Sequence, residues 1–350
     1  MLTQRIIPYV DFLLICVQIM KKRHILLSFV FILFSINTFA QRQEKLRLFE
    51  IPDTLNKARF WTLNGSIASG YVGTMSLLSI AWYADYERSK FHLFDDSGEW
   101  MDVDKAGHFF STYFESKWTK DLYRWTGVED RKAAYAGAIG GMVYQAGIEV
   151  LDGFSEKWGF SVWDIAFNTA GAATFLSQEL LWEEQRIHLK LSAHLPRYDT
   201  TPLQALNSTA TTTVKERANA LFGTSIPSVM LKEYNGLTLW ASGNISAFIK
   251  KEDSRFPKWL NVAVGYSAEN VYGGFGNAWT DDAGNRFMAP AEQYPRYRQF
   301  LLAPDVDFTR IPTKSKALKI VFGILNIVKI PSPAIEYNTQ GKLRFHAMYF

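Results

Sequence analysis

The stretch "MDVDKAGHFF" sets Asp104, Lys105 and His108 at the mouth of an apolar run. An acid, an ammonium and an imidazole this close together can move a proton or grip a polar head group. With further carboxylates they can ligate zinc or a hard divalent ion. A short acid here serves equally as a helix N-cap, accepting from free backbone N–H groups, so partners elsewhere in the chain decide the matter. Two further stretches supply them. Gln145 and Glu149 stand four residues apart with Asp152 beyond, and Asp164 and Asn168 repeat that spacing before Gly171. On helices, such spacing puts each pair on one face. Charged groups are costly in apolar surroundings unless they are paired. Their recurrence on apolar segments therefore predicts one interior cluster of Asp104, Lys105, His108, Glu149, Asp152, Ser161, Asp164 and Asn168, in which Lys105 neutralises a carboxylate.

Several of these residues also have plainer roles. Ser161-x-x-Asp164 is a capping-box signature, Asp152-Gly153 reads as the turn that ends a helix, and His108 beside Phe109 and Phe110 fits a hydrogen-bonded core imidazole. Glu149 is the hardest to assign to a surface, because the sixteen residues before it, Ala133 to Ile148, are all uncharged. In a catalytic site Glu149 or His108 would be the acid–base group, with Asp104 or Asp164 orienting the imidazole. No nucleophile elbow, P-loop, dinucleotide fingerprint or paired-histidine metal motif occurs in a matching context. The sequence therefore assigns neither catalysis, nor a metal, nor a cofactor.

The elements that must hold these residues are helical at about 60–84, 105–124, 131–151 and 162–185. No charged residue occurs from Phe60 to Ala84, a span that fits either a bilayer or the centre of a soluble bundle. Gly137, Gly140, Gly141 and Gly147 require another helix to approach the third segment closely, and the short connections favour antiparallel neighbours. The period changes at "RIHLKLSAHL", where Ile187, Leu189, Leu191, Ala193 and Leu195 alternate with His188, Lys190, Ser192 and His194. Similar alternation returns in "LTLWASGNISAF", "WLNVAVGYSAE", "YRQFLLAPDVDF" and "LRFHAMYF". Between Lys314 and Val328, the residues Leu318, Val321, Leu325 and Val328 share one helical face, which predicts a helix laid on the sheet. The expected fold is α+β. An antiparallel bundle of about four apolar helices within 41–185 precedes a mainly antiparallel β region over 186–350 with one packed helix and a linker at about 199–213.

Residues 1–40 read as an upstream extension and a signal peptide. Lys21, Lys22 and Arg23 precede an apolar run from Ile25 to Ile36, and Thr38-Phe39-Ala40 offers small residues before cleavage at Gln41. Met20 is then the expected start. Beyond this segment 34 basic and 33 acidic side chains remain, so the pI near 8.9 belongs to the targeting region and no electrostatic footprint for nucleic acid is left. Cys16, the one cysteine, lies upstream of the signal and lacks the small preceding residue of a lipoprotein signal, so no lipid-acceptor thiol is expected in the mature chain.

Asp-Lys-x-x-His at 104–108, Gly-x-Glu-x-x-Asp-Gly-Phe-Ser at 147–155, Trp-Gly-Phe-Ser at 158–161 and Asp-x-x-x-Asn-x-x-Gly at 164–171 together resemble the YfiM-like predicted periplasmic lipoproteins, a family of unknown function. The likeness covers about residues 100–195. The same outline is more distantly similar to the VanZ-like membrane family, from which the chain departs at Asp152, where Gln is common, and at Lys157-Trp158, near an expected Arg. Export and membrane association are what these resemblances imply. The terminal "KLRFHAMYF", with Leu343, Phe345, Ala347 and Tyr349 on one face and a final Phe350, resembles the last strand of outer-membrane barrels. The chain is thus expected to be an exported protein of the periplasm or outer membrane of a Gram-negative bacterium. Its expected character is that of a structural or binding protein, with envelope lipid as partner and an envelope enzyme or metal/lipid-head-group site as the alternative.

Overall fold

The computed structural model describes residues 50–81, 87–224, 232–249 and 256–350; the upstream extension and the signal peptide lie outside them. The fold is α+β, with helices first and a six-stranded antiparallel sheet after them. The chain divides into two compact units. The smaller holds the described residues up to Gly70 together with Trp125–Val128. There Asn56 N donates to Thr126 O at 2.8 Å, and the Arg59 guanidinium lies 4.6 Å from the centre of the Trp125 ring.

Helix α1 (Lys57–Ala81) answers to the uncharged segment. No described helix is long and apolar enough to cross a membrane. Val72, Leu77 and Ile80 are exposed, so the buried central helix anticipated for this segment does not form either.

In the larger unit a 3-10 turn, Glu99–Asp102, leads into α2 (Val103–Trp125), followed by α3 (Asp130–Asp152) and α4 (Val162–Trp182). The glycines of α3 do what their spacing requires. A Cβ on Gly141 would stand 2.5 Å from Ser116 Oγ of α2, and one on Gly137 would strike the Ser116 carbonyl, so only glycine lets these two helix backbones meet. Tyr113, Phe114, Ala138, Ala172 and Phe175 form the core between the three helices, and it extends to Leu189 on the first strand.

The sheet runs β1 (Ile187–Ala193), β4 (Leu237–Asn244), β5 (Leu260–Glu269), β8 (Tyr297–Val306), β9 (Ser332–Asn338), β10 (Leu343–Tyr349) in spatial order. The span 199–213, expected as a linker, contains the paired short strands β2 (Leu203–Gln204) and β3 (Thr211–Thr212). Helix α5 (Val214–Phe222) follows, started by a capping box between Thr213 and Glu216. A second short hairpin joins β6 (Ala278–Thr280) to β7 (Arg286–Met288), and a helical turn, α6 (Ile245–Phe248), follows β4.

The two faces of the sheet differ in an unusual sense. Side chains buried on its concave face are mostly polar, among them Lys190, Ser192, Thr238, Ser242, Asn244, Asn261, Ser267, Gln299, Asp305, Glu336 and Asn338, and they surround a small apolar core of Trp240, Ala263, Leu301, Ala303 and Ala334. On the convex face the register aligns two apolar rows across four strands. One is Val264–Leu302–Ile335–Phe345; the other is Tyr266–Phe300–Tyr337–Leu343. All but Tyr266 are exposed.

The sheet is also strongly curled. Tyr349 on β10 meets Thr238 on β4 with its hydroxyl at 3.2 Å and the Trp240 ring at 6.0 Å. Four strand spacings of a flat sheet would hold them about 19 Å apart. Lys190 on β1 likewise reaches Asp305 on β8 at 2.7 Å, with both side chains fully buried. The outer edge of β1 is paired by residues 327–329, through Leu191 N to Ile327 O and Lys329 N to Leu191 O, each at 2.9 Å.

Two β-region expectations need correction. A register shift between His346 and Tyr349 turns Tyr349 onto the buried side, away from Leu343 and Phe345, so the terminal residues do not keep one alternation. Helix α7 (Lys316–Leu325) forms, but Leu318, Val321 and Leu325 are exposed, not laid on the sheet, and Val328 lies beyond the helix, bridged to Leu191 at the edge of β1.

Candidate functional site

Helices α2, α3 and α4 bring most of the sequence-predicted residues together. Lys105, in the first turn of α2, is 1 % exposed and pairs with Asp96; its Nζ lies 3.3 Å from Asp104 Oδ2 and 2.7 Å from Asp164 Oδ1. His108, one turn on, turns Nε2 toward Glu149 Oε1 at 3.6 Å and Asp164 Oδ2 at 3.7 Å. Its Nδ1 faces Asn168 Oδ1 at 3.2 Å, and Thr112 Oγ1 donates to the same oxygen at 2.8 Å. An amide oxygen opposite Nδ1 places the proton there and leaves the Nε2 side to the two carboxylates.

Ser161 holds both of its anticipated roles. Its hydroxyl caps α4 by accepting from Asp164 N at 2.9 Å and donates to Asp96 Oδ1 at 2.6 Å, while its own N–H donates to Glu149 Oε2 at 3.2 Å. The S-x-x-D signature and the interior cluster therefore coincide: the Asp164 backbone is capped while its side chain points inward. Asp104 is not the N-cap of its helix. The helix begins at Val103 after left-handed residues Trp100, Met101 and Asp102, and Asp104 Oδ1 instead accepts from Tyr234 OH at 3.0 Å. Asp152 closes α3, its carbonyl accepting from Ser155 N at 2.9 Å, and reaches the cluster through the effect of its charge on Glu149. Gln145 binds Glu115 at 2.7 Å and so stands in a neighbouring network.

Sequence reasoning missed Asp96 and Tyr234. Asp96 sits in a loop among Asp95, Ser97 and Gly98, where an acid reads as turn chemistry. Tyr234 is 130 residues from its partner Asp104, beyond any local periodicity.

The electrostatics follow from burying several acids around one ammonium. Burial pushes Glu149 up to about 8, with His108 opposing and Asp164 and Asp152 adding to the rise. Asp164 is pushed up to about 7, again chiefly by burial. Burial also raises Asp96, but hydrogen bonds from Asp164, Lys105 and Ser161 outweigh it and hold that carboxyl below its usual range. For His108, burial disfavours the imidazolium, yet the charges of Asp104, Asp164 and Glu149 prevail and raise its pKa. The arrangement can pass a proton between His108 and a carboxylate, or surround a cation.

Residues 92–178 match the model of a family described as "Predicted periplasmic lipoprotein (DUF2279)". No curated protein and no solved structure matches the chain. The matched span runs from His92 through Gln178 and so contains Asp96, Lys105, His108, Glu149, Asp164 and Asn168 together. The match supports an exported protein of the cell envelope.

Proposed function

We propose that the protein is a membrane-associated binding protein of the cell envelope, seated at the outer membrane of a Gram-negative bacterium by the convex face of its sheet, with the polar cluster of its helices as the binding element. The observation that carries this reading is the unequal division of the sheet's faces: mostly polar side chains, around a small apolar core of Trp240, Ala263, Leu301, Ala303 and Ala334, are buried within the curl, and the rows Val264–Leu302–Ile335–Phe345 and Phe300–Tyr337–Leu343 are exposed outside it. Water reverses that preference, because apolar area removed from water stabilises by about 25 cal/mol per Å². Large contiguous apolar patches on soluble monomers are rare. A sheet with a polar inside and an apolar outside is the arrangement of lipid-facing β structure. The outward apolar face of α7 adds to the same surface character. The family match, to predicted periplasmic lipoproteins, agrees with membrane association.

Fractionation of the native envelope tests it. The protein is expected with the outer membrane, released by detergent and not by high salt. Release by osmotic shock, followed by stable solubility without detergent, would refute the membrane reading and leave an ordinary periplasmic sheet.

A further inference from the structure

We propose that His108, Glu149 and Asp164, with Asp104 beside them, form a binding site for a single divalent metal ion of the zinc class. Three observations converge on it.

The first is geometric. His108 Nε2 lies 3.6 Å from Glu149 Oε1 and 3.7 Å from Asp164 Oδ2. These separations exceed a hydrogen bond but are close to the edge of about 3.4 Å of a tetrahedron of ligands at zinc-type bond lengths. Ligand atoms of Asp104, His108 and Asp164 all lie within 4.8 Å of one another.

The second is an unmet demand. Glu149 is 1 % exposed, and its Oε1, aimed at the imidazole, has no hydrogen-bond partner among the described residues. Asp164 Oδ1, by contrast, is held by Lys105 Nζ at 2.7 Å, so the unmet oxygen is that of Glu149. Buried carboxylate oxygens left without donors are costly, and a bound cation satisfies them. Counting charge leads to the same place. Asp96, Asp104, Glu149 and Asp164 face one ammonium, Lys105, and one imidazole. With the imidazole neutral, a dication offsets most of the remaining negative charge.

The third is the support behind the histidine. Nδ1 faces the Asn168 amide oxygen, whose orientation Thr112 fixes. A metal-bound imidazole characteristically donates its other N–H to an oxygen in this manner, which holds the ring and its tautomer. Lys105 then acts as a positioning residue that fixes Asp164 and Asp96.

The competing arrangement is an imidazolium that neutralises the carboxylates without any metal. Metal analysis distinguishes the two on the full-length purified protein, stripped with chelator, loaded with zinc and desalted. The expected result is stoichiometric zinc, with X-ray absorption showing an imidazole nitrogen among oxygen donors at about 2.0–2.2 Å. Asn168→Ala should weaken zinc about 10- to 100-fold, as loss of an outer-shell partner does, and His108→Gln and Glu149→Gln should weaken it at least as much. Glu156→Gln, on the nearby loop, should leave it unchanged. Circular dichroism and gel filtration establish which variants are folded, and the wild-type absorption spectrum carries the test if a variant is not. Wild-type protein with native helical content that retains no zinc, a spectrum without imidazole, or folded His108→Gln and Glu149→Gln proteins that bind as wild type would each overturn the site. None of these measurements depends on where the protein partitions, so failure here is distinct from failure of the membrane reading.

Discussion

Lys105 shows how much a single side chain can be asked to do. It is buried among Asp96, Asp104 and Asp164, and removing one partner of a buried charge set leaves the others uncompensated. Lys105→Met is therefore expected to lower stability by about 3–5 kcal/mol. Lys117→Met, which removes a surface pair with Asp121, should stay within about 0.5 kcal/mol. Thermal or denaturant unfolding of the two variants measures the contrast, and similar losses would contradict it. Glu115 supplies a pH-dependent counterpart. Burial pushes it up to about 8, opposed by the hydrogen bond from Gln145 and by His108, and its Oε2 has no hydrogen-bond partner among the described residues. The folded state thus keeps a proton that the unfolded chain releases near pH 4.5. The associated stability is fully present below that pH and is lost as pH rises through about 8. Relative to wild type, Glu115→Gln should gain stability progressively from pH 5 to 8, by a few kcal/mol at most, and then level off. Parallel pH profiles would show that Glu115 is not protonated in the fold. At this scale the periodic residues were legible, because i, i+4 spacing states which side chains share a face; the loop acid Asp96 and the distant Tyr234 carry no such signature.

Among the elements, the strands were legible from alternation, and the glycines of α3 from the close approach they imply. What alternation cannot convey is a break in itself. The register shift near the end of β10 sends Tyr349 inward against Trp240, although the residue types continue to alternate. The partner strand makes a related demand. Trp240 lies over Gly265 of the adjoining strand, and a Cβ there would meet the ring at 2.7 Å. Gly265→Ala should destabilise by about 1–3 kcal/mol through overpacking. Gly243→Ala, whose new Cβ would come no closer than 3.9 Å to Val262 O, should remain within about 0.5 kcal/mol. Melting temperatures of the two variants check this, and an equal effect would mean that the ring yields freely.

For the molecule as a whole, fold class followed from the change of period near residue 187, but the direction in which the sheet faces did not. A period of two separates residues into two sets without saying which set is inside. His188, Lys190 and Ser192 look like a solvated face in the sequence, and all three are buried. If the convex face meets lipid, Leu302→Arg should reduce recovery with the membrane, since an arginine near mid-bilayer on a lipid face costs about 2–4 kcal/mol. Asp282→Arg, at the exposed β6–β7 turn, should partition as wild type. Quantitative blots of membrane and soluble fractions measure the difference, and equal partitioning of all three proteins would argue against lipid at that face.

The curl of the sheet also sets a timetable. Lys190 donates to Val306 O across 116 residues, and Thr238 meets Tyr349 across 111. Contacts so distant along the chain close late and slow folding, whereas the i, i+4 faces of the helices form early. The first strand, docked on the helical core through Leu189, must hold its ammonium without a counter-charge until β8 arrives. In pulse-labelling hydrogen exchange, amides of α3 and α4 should gain protection before those of β1. Removing Tyr349 and Phe350 should delay or abolish protection in β4 while leaving the helices protected. The helices would then be a completed template onto which the sheet closes last, at its final strand.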